Sequence, residues 1–182
     1  MNWKKTSSTY LTHYPYFTAR KDSCETPGGK IIPEYYVVEL RPCVCALAIT
    51  LENEAILVKQ YRHPIEKVLL EIPGGFVDEN EEARDAVARE LLEETGYKFS
   101  EIQKVAEVAA NPGILNNYTQ LFLATGGIKV AEQTLDPNEE IEILLMPLEE
   151  LVKLLIENKL VQSMHINCIF YALMKMGKLK LS

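Results

Sequence analysis

No apolar run among the 182 residues approaches the ~18 that a membrane-spanning helix requires. The opening stretch, MNWKKTSSTYLTHYPYF, lacks the continuous apolar segment of a secretory signal. Cationic side chains are in deficit, with 19 Lys and Arg against 26 Asp and Glu, a formal net charge of -7 and a pI near 5.1. That balance argues against nonspecific attachment to nucleic acid or to an anionic lipid surface, both of which need a basic surplus. Cysteine is sparse too. Cys24, Cys43, Cys45 and Cys168 contain no C-x-x-C and build no dense disulfide framework, so buried, reduced thiols are expected. These absences together lead to the expectation of a cytoplasmic protein. What remains is ordinary: 47% apolar and 25% charged residues, with nine Gly and nine Pro. A disordered or fibrous chain is excluded, and one domain, or one with a small appendage, is expected.

Residues 14–21 (YPYFTARK) and 31–40 (IIPEYYVVEL) read as two strands around a reversal at TPGG, with Pro33 weakening the second strand or placing it at an edge. Residues 44–51 and 55–62 form a second strand pair about the polar ENE, and VLLEIP at 68–73 is another strand. Helical spacing takes over from residue 80 to 95, where Ala83, Val87 and Leu91 recur every four residues and Gly96 supplies the stop. Strands are expected around 101–110 and 119–130, separated by NPGILNN. The loop EQTLDPNEE, the strand IEILLMP and helices over 148–158 and 164–176 follow. Strands outnumber helices without strict alternation, so the fold class is α+β with a mixed sheet. Residues 1–41 read as a β-rich appendage to a main domain over 42–182.

Charge is concentrated in residues 78–94, DENEEARDAVARELLEE, where eight acids meet two arginines. The net of -6 in 17 residues leaves -1 for all the others. Acids early in a helix meet its positive end, but Glu93 and Glu94 sit at the negative end and gain nothing there. Glu90, Glu93 and Glu94 lie three and four residues apart, so like charges crowd one surface. Arg89 is spaced to pair with Asp85 and Glu93. It cannot neutralise the whole cluster, whereas a hard divalent cation such as Mg²⁺ can, since it prefers carboxylate and carbonyl oxygens. A dense acidic run is most often a solvated helix face; here the spacing argues otherwise. Residues 75–97 fit G-x5-E-x7-R-E-U-x-E-E-x-G-U (U apolar or aromatic) through Gly75, Glu81, Arg89, Glu90, Leu91, Glu93, Glu94, Gly96 and Tyr97. At typical residue usage the fixed letters agree by chance about once in 10⁸ starting points.

This segment resembles the signature box of the Nudix hydrolase family at every defined position. The resemblance implies an α/β/α sandwich around a mixed sheet, and hydrolysis of a nucleoside diphosphate linked to a further group with Mg²⁺ or Mn²⁺. By position it implies Glu90, Glu93, Glu94 and the Gly74 carbonyl as metal ligands, with Glu81 and Arg89 orienting them. Glu93 is counted among the catalytic residues as well. The proton-accepting base of relatives that cleave ADP-ribose is a loop Glu after the box, which makes Glu139 the first choice and Glu140 the second. The layout TPGGK, EYYVVELRP, VKQYRHP, LLEIPGG is similar to the ADP-ribose and nucleoside-diphosphate-sugar pyrophosphatase branch. It implies substrate contacts from Arg62, Gly75, Pro112, Gly113 and Asn116, and a homodimer exchanging its β appendage. Tyr35, Tyr36 and Tyr118 are candidates for stacking on a base, with core packing as the alternative. His63 and His165 lack partners at metal-ligand spacing and are expected to be structural. ADP-ribose and other nucleotide sugars, GDP-mannose among them, remain open. Two further readings are an RNA 5′-end or housecleaning pyrophosphatase, and a non-catalytic nucleotide-sugar sensor.

Overall fold

Cys43–Thr50 (β4) is apolar on both faces because both are covered. Cys45, Leu47 and Ile49 point into one core cluster, and Val44, Ala46 and Ala48 into the other. The same split recurs in β5 (Glu54–Arg62), with Ala55 and Leu57 opposite Ile56, and in β10 (Thr119–Lys129), with Leu121 and Leu123 opposite Phe122 and Ala124. The computed structural model describes residues 1–15 and 17–179; Tyr16, inside the strand expected over 14–21, lies outside the described residues.

The eight-stranded sheet runs β11-β5-β4-β10-β8, with β11 at Ile141–Pro147 and β8 at Tyr97–Lys98. Beside this path, β6 (Lys67–Glu71) pairs with β5, β7 (Gly74–Phe76) with β4, and β9 (Glu101–Val108) with β10. Among the described residues of this sheet, β4–β10 is the one parallel pairing, which makes the sheet mixed. Helix α1 (Ala83–Thr95) covers one face through Ala86, Val87 and Leu91. Helices α2 (Leu148–Ile156) and α3 (Ser163–Lys175) cover the other through Leu148, Leu151, Cys168, Ile169, Ala172 and Leu173. The α/β/α layering is the expected one. Among the described residues no helix is long and apolar enough to cross a membrane.

Contacts divide the chain into two units: Met1–Arg41 with Ala109–Tyr118, and Pro42–Val108 with the chain from Thr119 onward. The first unit holds an antiparallel sheet of three strands, β1 (Lys4–Tyr14), β2 (Phe17–Glu25) and β3 (Ile31–Glu39), in that order. Two strands were expected there. β1 escaped because KKTSSTYLTHY is exposed nearly throughout and carries no apolar alternation. β3 is outermost, and Pro33 sits where the β2 register shifts between Asp22 and Cys24, a bulge that tolerates its missing N–H. In the same unit the 109–118 segment runs beside β3: Val38 donates its N–H to the Ile114 carbonyl and accepts from Asn116 N. Of the cysteines, Cys45 and Cys168 are buried, Cys24 and Cys43 half-buried.

Candidate active site

Helix α1 starts at Ala83, three residues later than its periodicity suggests, because residues 78–82 are spent on a loop that Glu81 closes. The Glu81 carboxylate accepts from Asp78 N at 3.0 Å and takes both Nε (2.9 Å) and Nη2 (3.0 Å) of Arg89. Arg89 also donates from Nη1 to Glu90 and to Glu93, each at 3.0 Å, and from Nη2 to the Phe76 carbonyl at 3.1 Å. Its guanidinium is held above its usual range, chiefly by the Glu81 hydrogen bonds. The expected partner Asp85 is not used. It faces solvent in the first turn, and Arg89 reaches across to the loop instead, where one fork meets one carboxylate.

Glu94 is the outlier of the cluster. It is 5% exposed, and its Oε2 accepts a hydrogen bond from the Gly74 N–H at 3.0 Å. Burial pushes its carboxyl up to about 8; the Gly74 N–H works against that rise, and Glu90 and Glu139 add to it. Glu90 is also raised, by burial first, with Arg89 opposing and Glu93 and Glu139 contributing. A Cβ at Gly75 would fall 2.4 Å from Glu90 Oε1, so any larger residue there would push the Glu90 carboxylate from its place. At the far end, Gly96 takes the left-handed conformation (φ 75°) and donates its N–H to Leu92 O, ending α1 as expected.

The loop after β10 is fastened to this helix end. Val130 N and Ala131 N donate to Gly96 O, Thr134 N to Glu93 O, and Gln133 Nε2 to Glu94 O (2.7 Å) and Ile141 O (3.2 Å). The same loop carries Glu139, which acts electrostatically on Arg62, Glu90 and Glu94; Glu140 is exposed. Arg62 is held by a bidentate pair with Glu71. Gly74, Gly75, Arg62, Glu81, Arg89, Glu90, Glu93, Glu94 and Glu139 thus belong to one unit. Pro112, Gly113 and Asn116 belong to the other, where Gly113 O accepts from Tyr35 OH and Asn116 Oδ1 from Leu40 N. Tyr35, Tyr36 and Tyr118 are exposed there, so core packing does not account for them. Sequence reasoning missed Glu71 and Gln133. The signal for Glu71 was a charged residue inside the apolar run VLLEIP; Gln133 gave none.

Among the described residues, no three His, Cys, Asp or Glu side chains already converge on a common metal position. The donor chemistry nonetheless fits a hard divalent cation. The carboxylates are crowded, Arg89 is shared among three of them, Arg62 is taken up by Glu71, and buried Glu94 is left with a backbone N–H.

A mixed sheet between helix layers, with this glutamate helix against a Gly-Gly strand, defines a Nudix hydrolase. The chain belongs to that family: the NUDIX domain model matches residues 39–164, and the nucleoside diphosphate sugar hydrolase N-terminal domain matches residues 3–38. Among its relatives is a protein named methanol dehydrogenase activator from Bacillus methanolicus, 31% identical over 82% of this chain and 81% of that one. Another is an ADP-ribose pyrophosphatase from Bacillus subtilis (strain 168), 34% identical over 73% of this chain and 72% of its own. The crystal structure of an ADP compounds hydrolase superposes with a TM-score of 0.84 over 98% of both chains, at 19% identity, a likeness of fold.

Proposed function

We propose that this hydrolase cleaves the pyrophosphate bond of ADP-ribose or a closely related nucleotide sugar, with Mg²⁺ and with Mn²⁺ as a substitute, giving a nucleoside monophosphate and a sugar phosphate. The observation that carries the reading is the buried, under-compensated Glu94 beside Glu90 and Glu93, facing the Gly74–Gly75 backbone. The ADP-ribose pyrophosphatase relative and the matching N-terminal domain support the substrate class. Glu90, Glu93, Glu94 and the Gly74 carbonyl would hold the metal. Bound there, a divalent cation offsets the substrate's negative charge and makes an attacking water more acidic. Arg89 and Glu81 fix the glutamates from behind. Glu139 accepts the proton of the attacking water, and its electrostatic coupling to Glu90 and Glu94 favours it over exposed Glu140. Arg62 and the Gly75 backbone meet the diphosphate, with Pro112, Gly113 and Asn116 serving the rest of the substrate.

Residues 1–41 act as an appendage to the domain over 42–182, exchanged between two copies of the chain in a cytoplasmic homodimer. The exposed Trp3, Tyr10, Tyr14, Phe17, Tyr35 and Tyr36 of that appendage suit burial against a second copy. The test is a turnover panel with Mg²⁺ over ADP-ribose, GDP-mannose, UDP-glucose, diadenosine polyphosphates and capped RNA. ADP-ribose or a nucleotide sugar should have the highest kcat/KM. Preference for capped RNA would select the RNA-end reading, and binding without turnover the sensor.

A further inference from the structure

Glu71 has no part in the reaction as set out above, yet its setting is unusual. It ends β6 with 1% exposure, directly after the apolar Val68, Leu69 and Leu70. Arg62 takes both of its oxygens, Nε to Oε1 at 3.1 Å and Nη2 to Oε2 at 2.6 Å. On the other side stands His165 of α3, whose Nδ1 lies 3.8 Å from Oε2, beyond hydrogen-bond reach. That Nδ1 is buried and has no hydrogen-bond partner among the described residues. Burial holds the imidazole down at about 4, so at neutral pH the ring carries no charge and Arg62 remains the cation that Glu71 faces.

Burying a carboxylate to make an ion pair is a poor way to stabilise a core, since apolar residues of similar volume do as well or better. The pair's consequence lies in what it does to Arg62. The Arg62 side chain is 42% exposed, and Glu71 occupies the Nε–Nη2 edge of its guanidinium, so the plane of the fork is fixed. Nη1 makes no hydrogen bond among the described residues, and the group is within electrostatic range of Glu94 and Glu139.

We infer that Glu71 is a positioning residue: by gripping one edge of Arg62, it presents the remaining guanidinium to the diphosphate in a single orientation beside the glutamate cluster. This rests on the substrate contact proposed for Arg62. Neutral His165 completes the arrangement by leaving Glu71 to Arg62 alone.

The experiment compares Glu71→Gln, Arg62→Lys, Arg62→Ala and the double variant Glu71→Gln/Arg62→Ala in steady-state turnover of ADP-ribose with Mg²⁺. Melting temperature and Mn²⁺ binding in the absence of substrate are measured alongside. Glu71→Gln should raise KM about tenfold with kcat within about threefold of wild type. Arg62→Lys should do the same, because an ammonium has no fork to grip. The double variant should be no worse than Arg62→Ala, and Mn²⁺ should bind every variant as it binds wild type. A lower melting temperature with unchanged KM in Glu71→Gln, or multiplied KM effects in the double variant, would overturn the inference. Should Glu71→Gln fail to fold, an unchanged KM in Arg62→Lys would overturn it equally. If Arg62→Ala itself leaves KM unchanged, the substrate contact of Arg62 is what fails, and the inference falls with it.

Discussion

Burial holds the Glu94 carboxyl up at about 8, against an ordinary value of 4.5, so ionising it at neutral pH strains the metal-free protein. In Glu94→Gln that strain disappears along with a metal-binding charge. Turnover with Mg²⁺ should fall by roughly three powers of ten. The metal-free variant should instead be more stable than wild type at pH 8, by an amount on the order of a few kcal/mol. Steady-state kinetics and thermal melts in EDTA check the two halves, and loss of both stability and turnover would mean the carboxylate is structural. Arg89 is the counterpart. Arg89→Ala strips Glu81, Glu90, Glu93 and the Phe76 carbonyl of their shared donor, so both turnover and melting temperature should drop, whatever the metal concentration.

Two elements meet at this helix end, α1 and the loop from 130 to 140, and the backbone joins them. Gly96→Ala should cost about 1–2 kcal/mol for the left-handed conformation alone, and more because its Cβ would strike Ala131 O. Gln133→Ala removes the side-chain link from that loop to Glu94 O and Ile141 O. Turnover should fall about tenfold as Glu139 loses its fixed position, with little change in melting temperature. Elements with a strong pattern were legible in the sequence: the strands β4 and β10, α1 through Ala83, Val87 and Leu91, and the Gly96 stop. So was the family, because Glu90, Glu93 and Glu94 are costly residues at fixed spacing. β1 was not, since its exposed polar residues carry no pattern. Nor were the three-residue β7 and two-residue β8, which exist only by pairing with β4 and β10. Gln133 acts through backbone carbonyls brought close by folding, which no local rule marks; Glu71 stands out as a charge within an apolar run, but nothing local names its partner nine residues away.

At the scale of the whole molecule, two buried groups shape stability against pH with opposite signs. His165 is held down at about 4 from 6.5, so the unfolded chain binds the extra proton between those values, and stability rises with pH there. Glu94 is held up at about 8 from 4.5, so the folded chain binds the extra proton between those values, and stability falls with rising pH. The two oppose each other up to about pH 6.5. Above it, of these two, only Glu94 still changes its proton count, so the metal-free protein should lose stability from about pH 6.5 to 8, and saturating Mg²⁺ should flatten that decline. Chemical denaturation across this range, with and without the ion, measures it. The central claim is that the crowded glutamates of α1 exist to hold a divalent cation, and Mn²⁺ titration followed by electron paramagnetic resonance at pH 7.5 tests it most directly. Wild type should bind the ion and Glu94→Gln should bind it at least tenfold more weakly. Equal binding by the two proteins, or none by either, would contradict the account.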